Sequence, residues 1–166
     1  MSDFDHQRTI PVEVLNGWFL LMRRSALEKV GLLDPQFFMY GEDVDWCYRF
    51  HQAGQKLVFF AGAEAIHYGG ASSASAPLRF HIEMYRANLQ YWRKHHGWLA
   101  QQLFLQTLAI YDTARMPGLA LCYLFLPSQR QNIVFKLKRS LACLQWTIRA
   151  MTRREGAGQV QTALTN

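Results

Sequence analysis

Along this 166-residue chain the rhythm of apolar and polar positions changes partway. In the first part the apolar residues come in short runs bounded by turn formers. Residues 12–15 and 17–22 read as short buried strands parted at Asn16-Gly17, and 56–60 and 64–67 as two more joined by small residues around Gly62. Between them, Ser25-Ala26-Leu27-Glu28 has the spacing of a capping box and opens a short helix that stops at Gly31. Asp34-Pro35 marks a turn, and a helix is expected over 43–53 with Gly54 just past its end. Residues 68–77 are Gly, Ser and Ala with no apolar anchor, which reads as a flexible lid.

From Pro77 the spacing becomes helical. Leu78, Ile82, Tyr85, Leu89 and Trp92 predict a long helix to about His96, closed by Gly97. Residues 99–126 are strongly apolar but interrupted by Asp112, Arg115 and Pro117-Gly118. Their longest clean run, 116–126, falls short of the ~20 residues a membrane-spanning helix needs. In 133–151, Val134, Leu137, Leu141, Leu144, Ile148 and Met151 form one stripe, with Lys136, Lys138, Arg139 and Arg149 placed elsewhere. The expected organisation is a mixed α/β part over 1–97, a helical and membrane-associated part over 98–152, and a frayed polar tail over 153–166.

Composition sharpens this picture. Half of the residues are hydrophobic, so a packed core is available. Three widely spaced cysteines in apolar surroundings suit reduced, buried thiols in a cytoplasmic setting better than a disulfide framework. Residues 1–10 are polar, without the apolar stretch of a secretory signal. The net charge of +6 lies wholly in the second part: ten basic and ten acidic residues balance up to His96, and from Gly97 onward there are eight basic and two acidic. A basic helical part with an apolar stripe has the pattern of a helix lying on an anionic membrane surface, or else of a core-packed helix with a solvated basic face. It does not suit nucleic acid, because the basic residues are not interleaved with exposed aromatics able to stack on bases.

Two sets of residues could carry chemistry. Glu42, Asp43 and Asp45 stand where a loop meets a helix start, where acidic groups complement the helix dipole and Asp45 can pair with Arg49 one turn on. The same placement suits a general base, a carboxylate held rigidly at the mouth of a cleft. His67 ends an expected strand; an imidazole suits a divalent ion, but one ligand does not make a site.

Several further segments, in order, carry a resemblance. Residues 16–24 (Asn-Gly-Trp-Phe-Leu-Leu-Met-Arg-Arg), 30–34 (Val-Gly-Leu-Leu-Asp) and 37–49, which contains Tyr40-Gly41-Glu42-Asp43-Val44-Asp45-Trp46, resemble family 2 glycosyltransferases. The subgroup is that of the rhamnosyltransferases and galactofuranosyltransferases. The series continues through Ala53-Gly54, 63–67, Ser72-Ser73 and 85–96.

The resemblance implies the C-terminal, acceptor-side half of a GT-A nucleotide-diphospho-sugar transferase fold. It assigns Asp43 as catalytic base with Glu42 beside it, and Gly17, Trp18, Tyr40, Gly41 and Asp45 to the acceptor cleft. It makes His67, 24 residues beyond Asp43, a ligand of the Mg²⁺ or Mn²⁺ that holds the donor diphosphate. The implied partners are a nucleotide-diphosphate sugar and a glycan or lipid-linked acceptor, met at the inner face of the plasma membrane. The implied reaction inverts the anomeric centre, with rhamnose the favoured sugar. The Asp-x-Asp motif of the donor half finds no counterpart before Gly17, since Asp3-Phe4-Asp5 follows no strand. The expected alternative is therefore an inactive membrane-associated or partner-binding module that keeps the acceptor-side fold.

Overall fold

The computed structural model describes residues 6–69 and 74–152, so residues 70–73 of the lid expected at 68–77, with Ser72-Ser73, and also Asp3-Phe4-Asp5 and the tail beyond Thr152, lie outside the described residues. The chain parts after Ala74 into two compact units, 1–74 and 75–166.

In the first unit, β1 (Ile10–Val12), α1 (Arg24–Val30), α2 (Glu42–Gln52) and β2 (Leu57–Phe59) follow in order. The two strands pair antiparallel, with Ile10 opposite Phe59 and Val12 opposite Leu57. Of the expected strands, only the one at 56–60 is present in place. The run at 12–15 is displaced to β1, and 17–22 and 64–67 form no ladder. Over 20–22 a period-two burial nevertheless survives. Leu20 and Met22 pack on the core while Leu21 is 96% exposed. Side-chain alternation asks only for an extended backbone, whereas a strand also needs a neighbour for its N–H and C=O groups. The α/β expectation is thus met by two helices and one short ribbon rather than by a parallel sheet.

Ala26, Trp46 and Phe50 form the core of this unit, with Leu20, Met22, Leu27, Val30 and Leu57 packed around them. The expected capping box does not form. Helix α1 is capped at Arg23 without a side-chain bond, Ser25 sits inside its first turn, and Glu28 pairs with Arg24 at 3.0 Å. The end of α1 is held instead by α2. Arg49 donates to the carbonyls of Val30 (3.0 Å) and Leu32 (2.8 Å), and the Trp46 indole N–H donates to that of Gly31 (2.9 Å). Three successive carbonyls that α1 leaves open are thereby satisfied. Gly54, with φ 70°, follows α2 in the left-handed conformation expected of it.

The second unit holds α3 (Pro77–Phe125), a 3₁₀ turn at Pro127–Gln129 and α4 (Arg130–Thr152). Gly97 interrupts α3 with φ 80° and ψ −174°, as the closing glycine of the first helical segment. Segments 77–96 and 98–125 then lie against each other. The Tyr85 hydroxyl donates to Asp112 Oδ2 at 2.9 Å, and the rings of Trp92 and Phe104 stack 5.9 Å apart. The backbone conformation of Gly97 is one that side-chain-bearing residues avoid, so Gly97→Ala is expected to destabilise this unit by about 1–3 kcal/mol, measurable as a lower denaturation midpoint.

The interruptions of the apolar run at Asp112, Arg115 and Pro117-Gly118 leave the helix intact, and it runs through Pro117. Asp112 is 1% exposed, and Arg115 donates to the Tyr111 hydroxyl at 3.1 Å. The inner face of α4 is not the expected apolar stripe. Its buried positions are Ile133, Ser140, Cys143 and Thr147, whereas Val134, Leu141 and Ile148 of the expected stripe are exposed. Small side chains on the inner face let α4 approach the layer holding Tyr85 and Asp112.

Burial raises the Cys143 thiol to about 11, with the Asp112 charge adding to the effect, and burial also raises that of Cys47. Cys122 is exposed. A thiol reagent at pH 8 is therefore expected to label one cysteine rapidly in the folded chain, and Cys122→Ser to abolish that phase. Rapid labelling of two or more sites would contradict these burials.

Candidate active site

The site begins with a change of backbone hand. Tyr40 (φ 67°) and Gly41 (φ 76°) are both left-handed, a conformation that costs a residue with a Cβ and that recurs at functional sites. This pair turns the chain abruptly into α2, whose first turn carries Glu42, Asp43 and Asp45. The exposed amides there favour negative side chains.

Asp43 is held on both oxygens. Oδ1 accepts from the Val44 N–H at 2.8 Å and Oδ2 from the Gly17 N–H at 2.9 Å. A carboxylate has about four lone-pair sites, so two remain for a further donor. A Cβ added at Gly17 would meet Asp43 Cβ at 3.5 Å, an ordinary contact. Gly17 therefore matters here for its N–H, not because a side chain would clash.

That hydrogen bond belongs to one of three residue pairings along a seam. The chain at 13–17, which follows β1, meets successive turns of α2: the Glu13 carbonyl accepts from His51 Nε2 (3.1 Å), Leu15 exchanges bonds with Cys47 Sγ (N–H donor at 3.4 Å, carbonyl acceptor at 3.6 Å), and Gly17 meets Asp43. Two residues of extended chain advance ~6.6 Å and four of helix ~6 Å, so alternate residues of one match every fourth residue of the other. Cys47 and His51 are the positioning residues that sequence reading missed. Their signal is a polar series at 43, 47 and 51 on one face of a helix.

The remaining assigned residues divide. Glu42 Oε2 is closed off from solvent without a hydrogen-bond partner among the described residues. Trp18, 66% exposed, lies face to face with His67, ring centroids 4.2 Å apart and planes 5° from parallel. Asp45 does not reach the surface. It is fully buried and pairs with Arg49 Nε at 2.9 Å, the pairing anticipated beside its acceptor role. No group of three His, Cys, Asp or Glu side chains able to hold a metal ion occurs among the described residues. His67 is a single imidazole, and one ligand does not make a site, so these residues alone do not build a metal site. A groove of about 550 Å³ opens over the core beside the seam, lined by Leu15, Leu20, Trp46, Cys47, Phe50 and Leu57 among others.

The family model described as "Glycosyltransferase like family 2" matches residues 2–86. The chain belongs to that family. Over 89 residues it is 36% identical to the N-acetylglucosaminyl-diphospho-decaprenol L-rhamnosyltransferase of Mycobacterium tuberculosis, an alignment covering 53% of this chain and 29% of that relative. It is 37% identical over 70 residues to the rhamnosyltransferase WbbL of Escherichia coli, covering 40% of this chain and 26% of WbbL. A hexosyltransferase of low-salt glycan biosynthesis, Agl10 of Haloferax volcanii, is 32% identical over 57 residues, 34% of this chain and 19% of the relative. The chain thus spans less than a third of the length of these relatives. No solved structure matches it. Family membership implies the GT-A fold.

Proposed function

We propose that the first unit of this family 2 glycosyltransferase forms the acceptor side of a sugar-transfer site, with Asp43 as general base. The observation that carries this reading is the doubly anchored, partly exposed Asp43 carboxylate at the start of α2. Fixed on two sides with lone pairs to spare, it is arranged to accept a proton and not to rotate away from it. The acceptor hydroxyl would attack the anomeric carbon of a nucleotide-diphosphate sugar as the bond to the diphosphate breaks. The hydroxyl proton would pass to Asp43, and the displacement would invert the anomeric centre. Rhamnose is the favoured sugar, because the relatives from M. tuberculosis and E. coli carry that activity in their names.

Trp18 would offer a flat apolar face to the acceptor sugar, with His67 stacked behind it. Glu42, Tyr40 and Gly41 would shape the acceptor cleft. His67 would supply one ligand of a divalent ion whose remaining ligands come from other residues. The acceptor would be a glycan or a lipid-linked glycan of the cell envelope. The protein would meet it as a peripheral protein at the inner face of the plasma membrane. The nucleotide-binding half would pack over the open groove at Trp46 and Phe50.

The test is rhamnosyl transfer from a deoxythymidine-diphosphate donor by the complete protein, in parallel with Asp43→Asn. Transfer that persists at the unmodified rate in the variant removes Asp43 from the role.

A further inference from the structure

The 98–125 segment of α3 has its polarity turned inside out. Its two charged side chains are Asp112 and Arg115. Asp112 is buried and takes the Tyr85 hydroxyl, while Arg115 lies half-buried with its guanidinium over the Tyr111 ring, 5.2 Å from the centroid. The outward line of the same segment contains Leu99, Leu103, Ile110, Leu121 and Leu124, each more than half exposed. Their spacing keeps them on one side of the helix over several turns, with no charge between them. A helix that faces water is built the other way round.

Helix α4 adds a second exposed line at seven-residue spacing, Val134, Leu141 and Ile148, with Lys138 on the same face. Between Gly97 and Thr152 there are six basic residues and a single acidic one, and that one is the buried Asp112. Among the described residues this stretch therefore exposes leucines and cations and no carboxylate. No helix of the described residues is long and apolar enough to cross a membrane.

We propose that the helical unit is an interfacial membrane module. It lays the outward line of 98–125 into the boundary between headgroups and acyl chains of an anionic bilayer, and the exposed Arg130, Lys138 and Arg149 meet the headgroups. An anionic lipid surface is favoured over a protein partner because the exposed charges are of one sign. Apolar burial with a cationic fringe and no acid is the complement of such a surface. The module deepens the transferase reading, on which it rests only for the idea that a lipid-carried acceptor is met there.

The test uses the full chain and vesicles of phosphatidylcholine, alone or with a quarter phosphatidylglycerol, read by flotation. Binding is expected with the anionic vesicles. It should fall by about tenfold or more when Leu103→Glu, Ile110→Glu and Leu121→Glu are combined, with the helical circular dichroism unchanged because these sites are exposed. As a second readout independent of that variant, brominated lipid should quench indole fluorescence of the native chain, with the quenching reduced in Trp98→Phe. Absence of binding to anionic vesicles overturns the proposal, as does equal binding by the glutamate variant. Stable self-association that the glutamates dissolve, without vesicle binding, assigns the face to a second copy and also overturns it. In the complete protein the two readings separate: Asp43→Asn should lose transfer and keep vesicle binding. The glutamate variant should lose vesicle binding and keep transfer to a short water-soluble acceptor.

Discussion

Asp43→Asn in the complete protein is expected to lower the turnover of sugar transfer by about two to four orders of magnitude, the usual contribution of a positioned general base. That corresponds to roughly 3–5 kcal/mol of transition-state stabilisation. The acceptor KM should change little. The carboxamide oxygen can still accept the Gly17 N–H, so the seam along 13–17 and the fold around it should persist. The combination to look for is a large loss of kcat, a small change in KM and native-like amide exchange in α2. A stability loss of similar size would assign Asp43 to the architecture instead.

The second large effect concerns the neighbouring carboxylate and has the opposite signature. Asp45→Ala removes the buried partner of Arg49, whose guanidinium also holds the Val30 and Leu32 carbonyls. Loss of one member of a buried pair costs ~3–5 kcal/mol. Arg49 keeps its two carbonyl partners and its side chain is 22% exposed, so the low end, about 3 kcal/mol, is expected here. Amide exchange in α1 and α2 should accelerate by roughly two orders of magnitude, while amides of α4 stay unchanged. Exchange that does not change would mean that the pair contributes nothing to holding α1.

Which features were legible in the sequence follows from how local their causes are. Gly97 and Gly54 were found because each needs a left-handed backbone regardless of its surroundings. The burial of Tyr85 and Leu89 was found because the helical period reports the inward face directly. The runs at 17–22 and 64–67 were misread as strands, since a ladder depends on a partner that no local pattern reveals. The inner face of α4 was not legible for a related reason: Leu141 and Ile148 are the larger apolar residues, but the smaller Ser140, Cys143 and Thr147 are among the buried ones. At the site, the acidic cluster at a helix start was visible from the residues alone. The contacts of Trp18 with His67 and of Gly17 with Asp43 join residues 49 and 26 positions apart, and the family resemblance named these residues without giving their geometry.

The seam between residues 13–17 and α2 acts as a gauge with fixed divisions. A single-residue insertion between Leu15 and Gly17 would put the Gly17 N–H out of register with Asp43 while the pairings at 13 and 15 stay in place. A deletion within α2 would rotate 47 and 51 by about 100° relative to 43. Evolution can therefore shift the orientation of Asp43 only in double steps along one element or helical turns along the other, and continuous adjustment is closed to it. Adaptation to different acceptors would then fall on the side chains flanking the gauge, such as Trp18, Phe19 and those around His67, where a substitution leaves the setting of the carboxylate untouched.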